Sequence, residues 1–226
     1  MQTLLDLLPQ LRTDLSSAAD PDRATGMQAY MKGVAPFLGV SAPDRRGVQR
    51  PLLLSARSRS ADELLDFADA CWDQPEREFQ YVAIDLLRKG VGGLRSSDLV
   101  RITHLLKTKP WWDTVDPLAA WIVGPLVLAD PALVNVMDDW INDDNFWIAR
   151  TAILHQLSFA ARTDATRLFG YADQRASDTE FFVRKALGWA LRQYARVAPN
   201  EVRSYVESRG SVLSGLTRRE ALKHLV

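Results

Sequence analysis

An all-α fold, built as a HEAT-like solenoid of stacked helical pairs (an α-α superhelix), is what the 226 residues predict. Three observations carry this expectation. Apolar residues recur at three- and four-residue spacing in one segment after another. Strand-like alternation of apolar and polar residues is nearly absent. The helices are joined by short turns, and successive pairs are spaced by roughly 35–40 residues, the range of HEAT-type repeats.

The helical patterns follow in order. The first covers Leu4–Leu15. Asp44–Leu54 comes after Ser41-Ala-Pro43, where a capping hydroxyl stands just ahead of a proline suited to a first helical turn. Ala61–Cys71 is next. Asp73-Gln-Pro75 then announces Glu76–Leu87, and Ser97–Leu106 precedes a tryptophan-rich stretch. Pro117–Leu128 and Pro131–Ile141 are each introduced by an aspartate, Asp116 and Asp130, directly before the proline. Phe146–Leu157, Ala165–Ala172, Glu180–Ala195, Asn200–Ser208 and Arg218–Leu225 complete the series. Thr217-Arg-Arg-Glu220 has capping-box spacing, and Gly90, Gly170 and Gly210 sit where helices should stop. No low-complexity segment or long linker divides the chain, which reads as one domain, 1–226.

Composition narrows the function classes. The chain is 47% apolar and 25% charged, as ordinary globular proteins are. No apolar run approaches the roughly 20 residues that span a bilayer, so no membrane partner is expected. The start MQTLLDLLPQLR lacks a basic n-region and carries Asp6 early, which makes a poor secretion signal. Cys71, the only cysteine, cannot form an internal disulfide and reads as a small buried hydrophobe. A cytosolic protein is expected. The net charge is zero, yet residues 145–226 hold 13 Lys/Arg against 7 Asp/Glu, a balance of +6, and residues 1–144 balance it at −6. That drift is either a solvated surface or a basic face suited to a polyanion.

Three stretches could carry chemistry. On Glu180–Ala195, Lys185, Trp189, Arg192 and Arg196 recur at intervals of four, three and four, off the apolar stripe. Trp189 there either covers the edge of the core or forms part of a site touching phosphates and a sugar or base. In FWIARTAIL, Arg150 lies among apolar residues and either snorkels or holds an anion. In KPWWDTVDPLAAW, 109–121, Asp116 precedes a proline and therefore belongs at the boundary where a helix begins. It is either an N-cap or a functional carboxylate beside rings that could wall a cleft. Other arrangements have little support. His104, His155 and His224 lack metal-ligand spacing, and no Walker loop, GxGxxG or Ser-His-Asp order is present.

Several stretches taken together point further. They are Tyr30-Met-Lys-Gly-Val-Ala-Pro-Phe-Leu-Gly-Val40 with Pro43-Asp-Arg-Arg46, WWDTVD at 111–116, FWIARTAILHQL at 146–157, FFVRKALGWALRQYA at 181–195 and LTRREALKHL at 216–225. In order, over nearly the whole chain, they resemble the AlkD-like family of bacterial DNA alkylation repair glycosylases. The resemblance implies HEAT-like repeats curved around duplex DNA, with a concave basic groove. It also implies excision of cationic N3- and N7-alkylated purines, such as 3-methyladenine and 7-methylguanine, in base excision repair. The family's catalytic aspartate falls on Asp116, and its cleft tryptophans on Trp112 and Trp189. DNA-contacting residues fall on Tyr30 and Arg150, and backbone-facing basic residues on Arg45, Arg46 and Arg192. Lys185, beside Trp189, joins this set as a candidate DNA contact. Non-catalytic relatives lose the aromatic cleft residues, which this sequence keeps. Ser158 departs from the pattern, since a basic residue is expected there.

On this reading the partner is duplex DNA bearing alkylated purines, and the protein is a monomer. It is cytoplasmic, nucleoid-associated when bound, and needs no metal or organic cofactor. Two alternatives belong to other classes. A helical solenoid can serve as a protein-binding scaffold through its extended surface, or it can bind DNA without cutting any bond.

Overall fold

The structure is a computed structural model describing residues 2–225. Among these residues every regular element is helical. A 3-10 turn (Leu5–Leu7) leads into α1 (Leu8–Ser17), α2 (Pro21–Tyr30), α3 (Ala42–Ser55), α4 (Ala61–Asp73), α5 (Arg77–Gly90) and α6 (Leu99–Lys107). Next, α7 (Trp112–Leu118) runs through a π-helical turn (Ala119–Val123) into α8 (Gly124–Ala129). The remaining helices are α9 (Leu133–Trp140), α10 (Phe146–Leu154), α11 (Ala165–Gln174), α12 (Phe181–Tyr194), α13 (Pro199–Arg209) and α14 (Gly215–Leu222). The predicted all-helical repeat class is the observed one.

Local signals explain many boundaries. Ser41 caps α3 by accepting from the Asp44 N–H, with a proline in the first turn. Gly90 closes α5, and Gly210, at φ 49°, closes α13. Others fall elsewhere than the sequence suggests. Periodicity gives no sign of α2, because none of its residues is buried; Asp20 nevertheless caps it by accepting from the Arg23 N–H at 2.9 Å. Asp73 is the last residue of α4, and Gly170 lies inside α11. Asp130 accepts from the Ala132 N–H, but α9 begins only at Leu133. Ser214, not Thr217, caps α14.

The largest departure is at Asp116-Pro117. The sequence places a helix start there, whereas α7 begins at Trp112 and holds Pro117 in its interior. Pro117 has no N–H to return to the preceding turn. The chain continues through the π-helical turn, where the bonding register shifts by one residue. Asp116 is therefore not an N-cap.

Two compact units divide the chain, Met1–Thr114 and Val115–Val226. In the first, α4 and α5 bury Leu64, Leu65, Phe67, Phe79, Val82, Leu86 and Leu87. Each such side chain contributes about 1.5–3 kcal/mol. The buried Glu78 carboxylate accepts from the N–H groups of Leu38, Gly39 and Val40, and so holds the segment that follows Tyr30. Gly39, at φ 82°, is required there: an added Cβ would lie 2.0 Å from the Asp20 carbonyl oxygen. In the second unit, α10, α12 and α14 bury Ile148, Ala149, Ala152, Val183, Leu187, Leu191 and Ala221. The repeat also shows as side-chain bonds of similar span within each unit. Gln49–Asp85 and Arg77–Asp113 each join residues 36 apart in the first. In the second, Arg150–Asp116 spans 34, Lys185–Glu220 35 and Arg209–Asp173 36.

His155 is buried, with Nδ1 donating to the Ala152 carbonyl at 2.6 Å, and burial pulls its pKa down to about 4. The unfolded imidazole takes a proton below about 6.5 and the folded one only near 4, so between those values protons favour unfolding. Stability should be full above pH 6.5 and fall by about 1.4 kcal/mol per pH unit below it. Denaturant unfolding at pH 7 and pH 5 should show a loss of about 2 kcal/mol that His155→Gln lacks. Equal pH slopes for the two proteins would remove His155 as the cause.

Candidate active site

In the first unit the start of α7 is anchored by α5. Arg77, fully buried, donates from Nε and Nη2 to the two Asp113 oxygens at 2.9 and 2.5 Å. It also donates to the Lys109 carbonyl, Gln80 Oε1 and the Thr114 hydroxyl. Tyr81, one turn further along α5, donates its hydroxyl to Asp113 Oδ2 at 2.5 Å. Burial, with the Asp113 charge adding to it, pushes the Tyr81 hydroxyl pKa up, so it stays a donor. Bonds to charged groups contribute about 1.5–3 kcal/mol each, which makes the WWDTVD segment a braced part of the backbone.

Tyr30 and Trp112, both singled out in the sequence, meet edge-on with centroids 6.2 Å apart and planes at 83°. Tyr30 is 70% exposed. Arg45 is not an open cation. Its guanidinium lies 4.8 Å over the Tyr81 ring and 3.7 Å from the Asp85 carboxylate, and burial lowers its pKa. Arg46 is exposed and lines an open pocket with Arg57, Asp85, Arg88 and Lys89.

In the second unit Arg150, on α10, resolves the choice its sequence left open: it holds an anion, and that anion is the protein's own. Its Nε and Nη2 each donate to one oxygen of Asp116 at 2.7 Å, the planar two-bond geometry that guanidinium suits. Nη1 donates to the Phe182 carbonyl, and the guanidinium carbon sits 5.9 Å from the Phe182 ring centroid. Arg150 is buried, and 8% of the Asp116 side-chain surface reaches solvent. The carboxylate is thus fixed in orientation, and the bidentate pair engages one edge of it. Phe182 is itself wedged against Trp147, at 4.9 Å, and Phe146, at 6.3 Å. This aromatic packing holds the far side of the guanidinium in place.

Trp189 is half-buried on α12. Lys185 and Arg192, which flank it in sequence, are both bonded to Glu220 of α14. Lys185 chiefly, and then Arg192, hold the Glu220 carboxyl below its ordinary range. Ser158 is exposed, and its hydroxyl donates to the Ala120 carbonyl at 3.0 Å. Sequence reasoning missed Arg77, Asp113, Tyr81, Phe182 and Glu220. The recurring 32–36-residue separation of bonded partners is the signal that could have found them.

Among the described residues no group of three or more His, Cys, Asp or Glu is placed to hold a metal ion, and no helix is long and apolar enough to cross a membrane. The sequence profile of the family described as DNA alkylation repair enzyme matches residues 11–225. A predicted DNA alkylation repair enzyme from Enterococcus faecalis is similar at 32% identity and TM-score 0.84, covering 92% of this chain and 97% of that one. AlkD2 from Streptococcus mutans is similar in fold, with TM-score 0.61 and 15% identity over 78% of this chain and 87% of that one. The smu.31 protein from Streptococcus mutans UA159 is also similar in fold, with TM-score 0.60 and 15% identity over 78% of this chain and 90% of that one. Among curated protein sequences no significant match was found.

Proposed function

The chain belongs to the DNA alkylation repair enzyme family, and from that membership we propose that it is a monofunctional DNA glycosylase releasing cationic N3- and N7-alkylated purines from duplex DNA. One observation carries the proposal: the Asp116 carboxylate of α7 is clamped by two bonds from the buried Arg150 of α10.

The chemistry suits such a group. A purine alkylated at N7 or N3 already bears positive charge and leaves without being protonated. What builds up as the glycosidic bond breaks is positive charge on the deoxyribose ring, as in other glycoside cleavages. A fixed carboxylate stabilises that charge and orients the attacking water. It needs no reorganisation, because Arg150 already sets its orientation. An indole face attracts such a cation by roughly 0.5–2 kcal/mol, the part that the family resemblance assigns to Trp112 and to Trp189. Water's oxygen bonds to C1′, the purine departs with the bonding pair, and Asp116 receives the water's proton. The products are free alkylpurine and an abasic site.

Because the lesion supplies its own leaving-group charge, contacts to sugar and phosphate suffice, and no base pocket is needed. Lys185, Arg192 and Arg46 would bind the backbone, with salt-sensitive affinity and little sequence preference. Arg150, buried against Asp116 and Phe182, would serve the site through the orientation it gives that carboxylate.

The competing reading is a DNA binder without catalysis, and the small exposure of Asp116 favours it. Lesion charge discriminates the two. Purified protein mixed with one duplex carrying 7-methylguanine and another carrying neutral 1,N6-ethenoadenine should produce heat-labile abasic sites only in the first. Cleavage of both at similar rates would refute the charge argument, and binding without cleavage of either would favour the non-catalytic reading.

A further inference from the structure

Two of the cations flanking Trp189 share a single partner. Lys185 Nζ donates to Glu220 Oε1 at 2.5 Å, and Arg192 donates to Oε2. Together α12 and α14 carry Arg184, Lys185, Arg192, Arg218 and Arg219 and one acid, Glu220. That acid is held where it is by more than its charges. A Cβ on Gly188 would lie 2.4 Å from the Glu220 Cβ, so α14 rides directly on α12. The Thr217 hydroxyl donates to the Arg184 carbonyl and pins the same crossing.

Stability alone is a weak reason for this arrangement. Lys185 is 38% and Arg192 21% exposed on their side chains, and partly solvated pairs of that kind contribute only about 0–1 kcal/mol. A carboxylate also offers the same paired oxygen acceptors as a phosphate. We propose that Glu220 is an internal competitor for backbone phosphate, occupying the anion position between Lys185 and Arg192 and so weakening the grip of α12 on undamaged duplex. The proposal rests on the DNA-repair reading above.

The consequence follows from counterion release. Two cations facing one carboxylate leave one unit of net charge for DNA instead of two, so fewer ions are freed on binding. A phosphate must displace Glu220 to reach both cations. Weak general attachment lets a repair enzyme move on from intact sites, and the full contact forms where the backbone is presented closely enough to win the exchange.

The test is binding of undamaged duplex over a series of salt concentrations, comparing wild type with Glu220→Gln. The variant should bind about 3–10-fold more tightly near 0.1 M salt, with a log K against log[salt] slope steeper by about one. Adding Lys185→Gln to it should return the slope to the wild-type value. Should the glutamine variant melt out, Glu220→Asp replaces it: too short to hold both cations but still charged, it should bind more tightly with little change of slope. A folded variant with unchanged or weaker affinity and an unchanged slope overturns the proposal and makes Glu220 a brace for α14. If the wild type meanwhile still releases 7-methylguanine, only this proposal fails. If neither protein binds DNA, the repair reading fails with it.

Discussion

Asp116→Asn should reduce release of 7-methylguanine by at least about 10²-fold, the loss typical when a preorganised charge-stabilising group is removed from a reacting centre. The same change should also cost about 3 kcal/mol of stability. Arg150 is buried, and the amide cannot satisfy its two donors as a carboxylate does, so a buried charge is left undercompensated. The two effects can be separated by the partner. Replacing Arg150 with glutamine in the asparagine background removes the stranded charge, and exchange of a whole buried pair is often close to neutral. Stability should return while activity does not. If activity returned with stability, Asp116 would be a structural anchor only. Urea unfolding and product release, measured on the same preparations, give the comparison.

Arg77→Ala should be the most destabilising single change in the first unit, at about 3–5 kcal/mol. Arg77 is fully buried and donates to five groups: the two Asp113 oxygens, Gln80, Lys109 and Thr114. Removing it strands the Asp113 carboxylate with the Tyr81 hydroxyl as its remaining named donor. Asp113→Asn should be milder than Arg77→Ala, because the guanidinium keeps its bonds to Gln80, Lys109 and Thr114. A loss under about 1 kcal/mol for Arg77→Ala in urea unfolding would mean that the network is not what fixes the start of α7.

The sequence makes the helical class legible because each amphipathic stripe is written locally. Val183, Ala186, Leu187, Ala190 and Leu191 alone place α12 and its buried face. Capping chemistry is legible for the same reason at Ser41. It fails at Asp116, where a pre-proline residue stays helical because burial and Arg150 hold it against its local preference. It also fails at α2, whose residues are all at least partly exposed and leave no stripe. The candidate site was legible in its residue types, since an arginine inside FWIARTAIL and a carboxylate between tryptophans are both conspicuous. Their partnership was not, because a bond across 34 positions depends on how helices stack and leaves no mark on either segment. Glu220 shows the same limit. Its spacing from Thr217 imitates a local cap, whereas its carboxylate reaches back to Lys185 and Arg192 on another helix.

The most direct test is a single-turnover measurement of free 7-methylguanine released from methylated duplex, with enzyme in excess. It compares wild type with the paired Asp116→Asn, Arg150→Gln protein, whose fold is checked by unfolding. The account predicts rapid release by the wild type and a rate near the spontaneous one for the folded double variant. Comparable rates from the two proteins would contradict it.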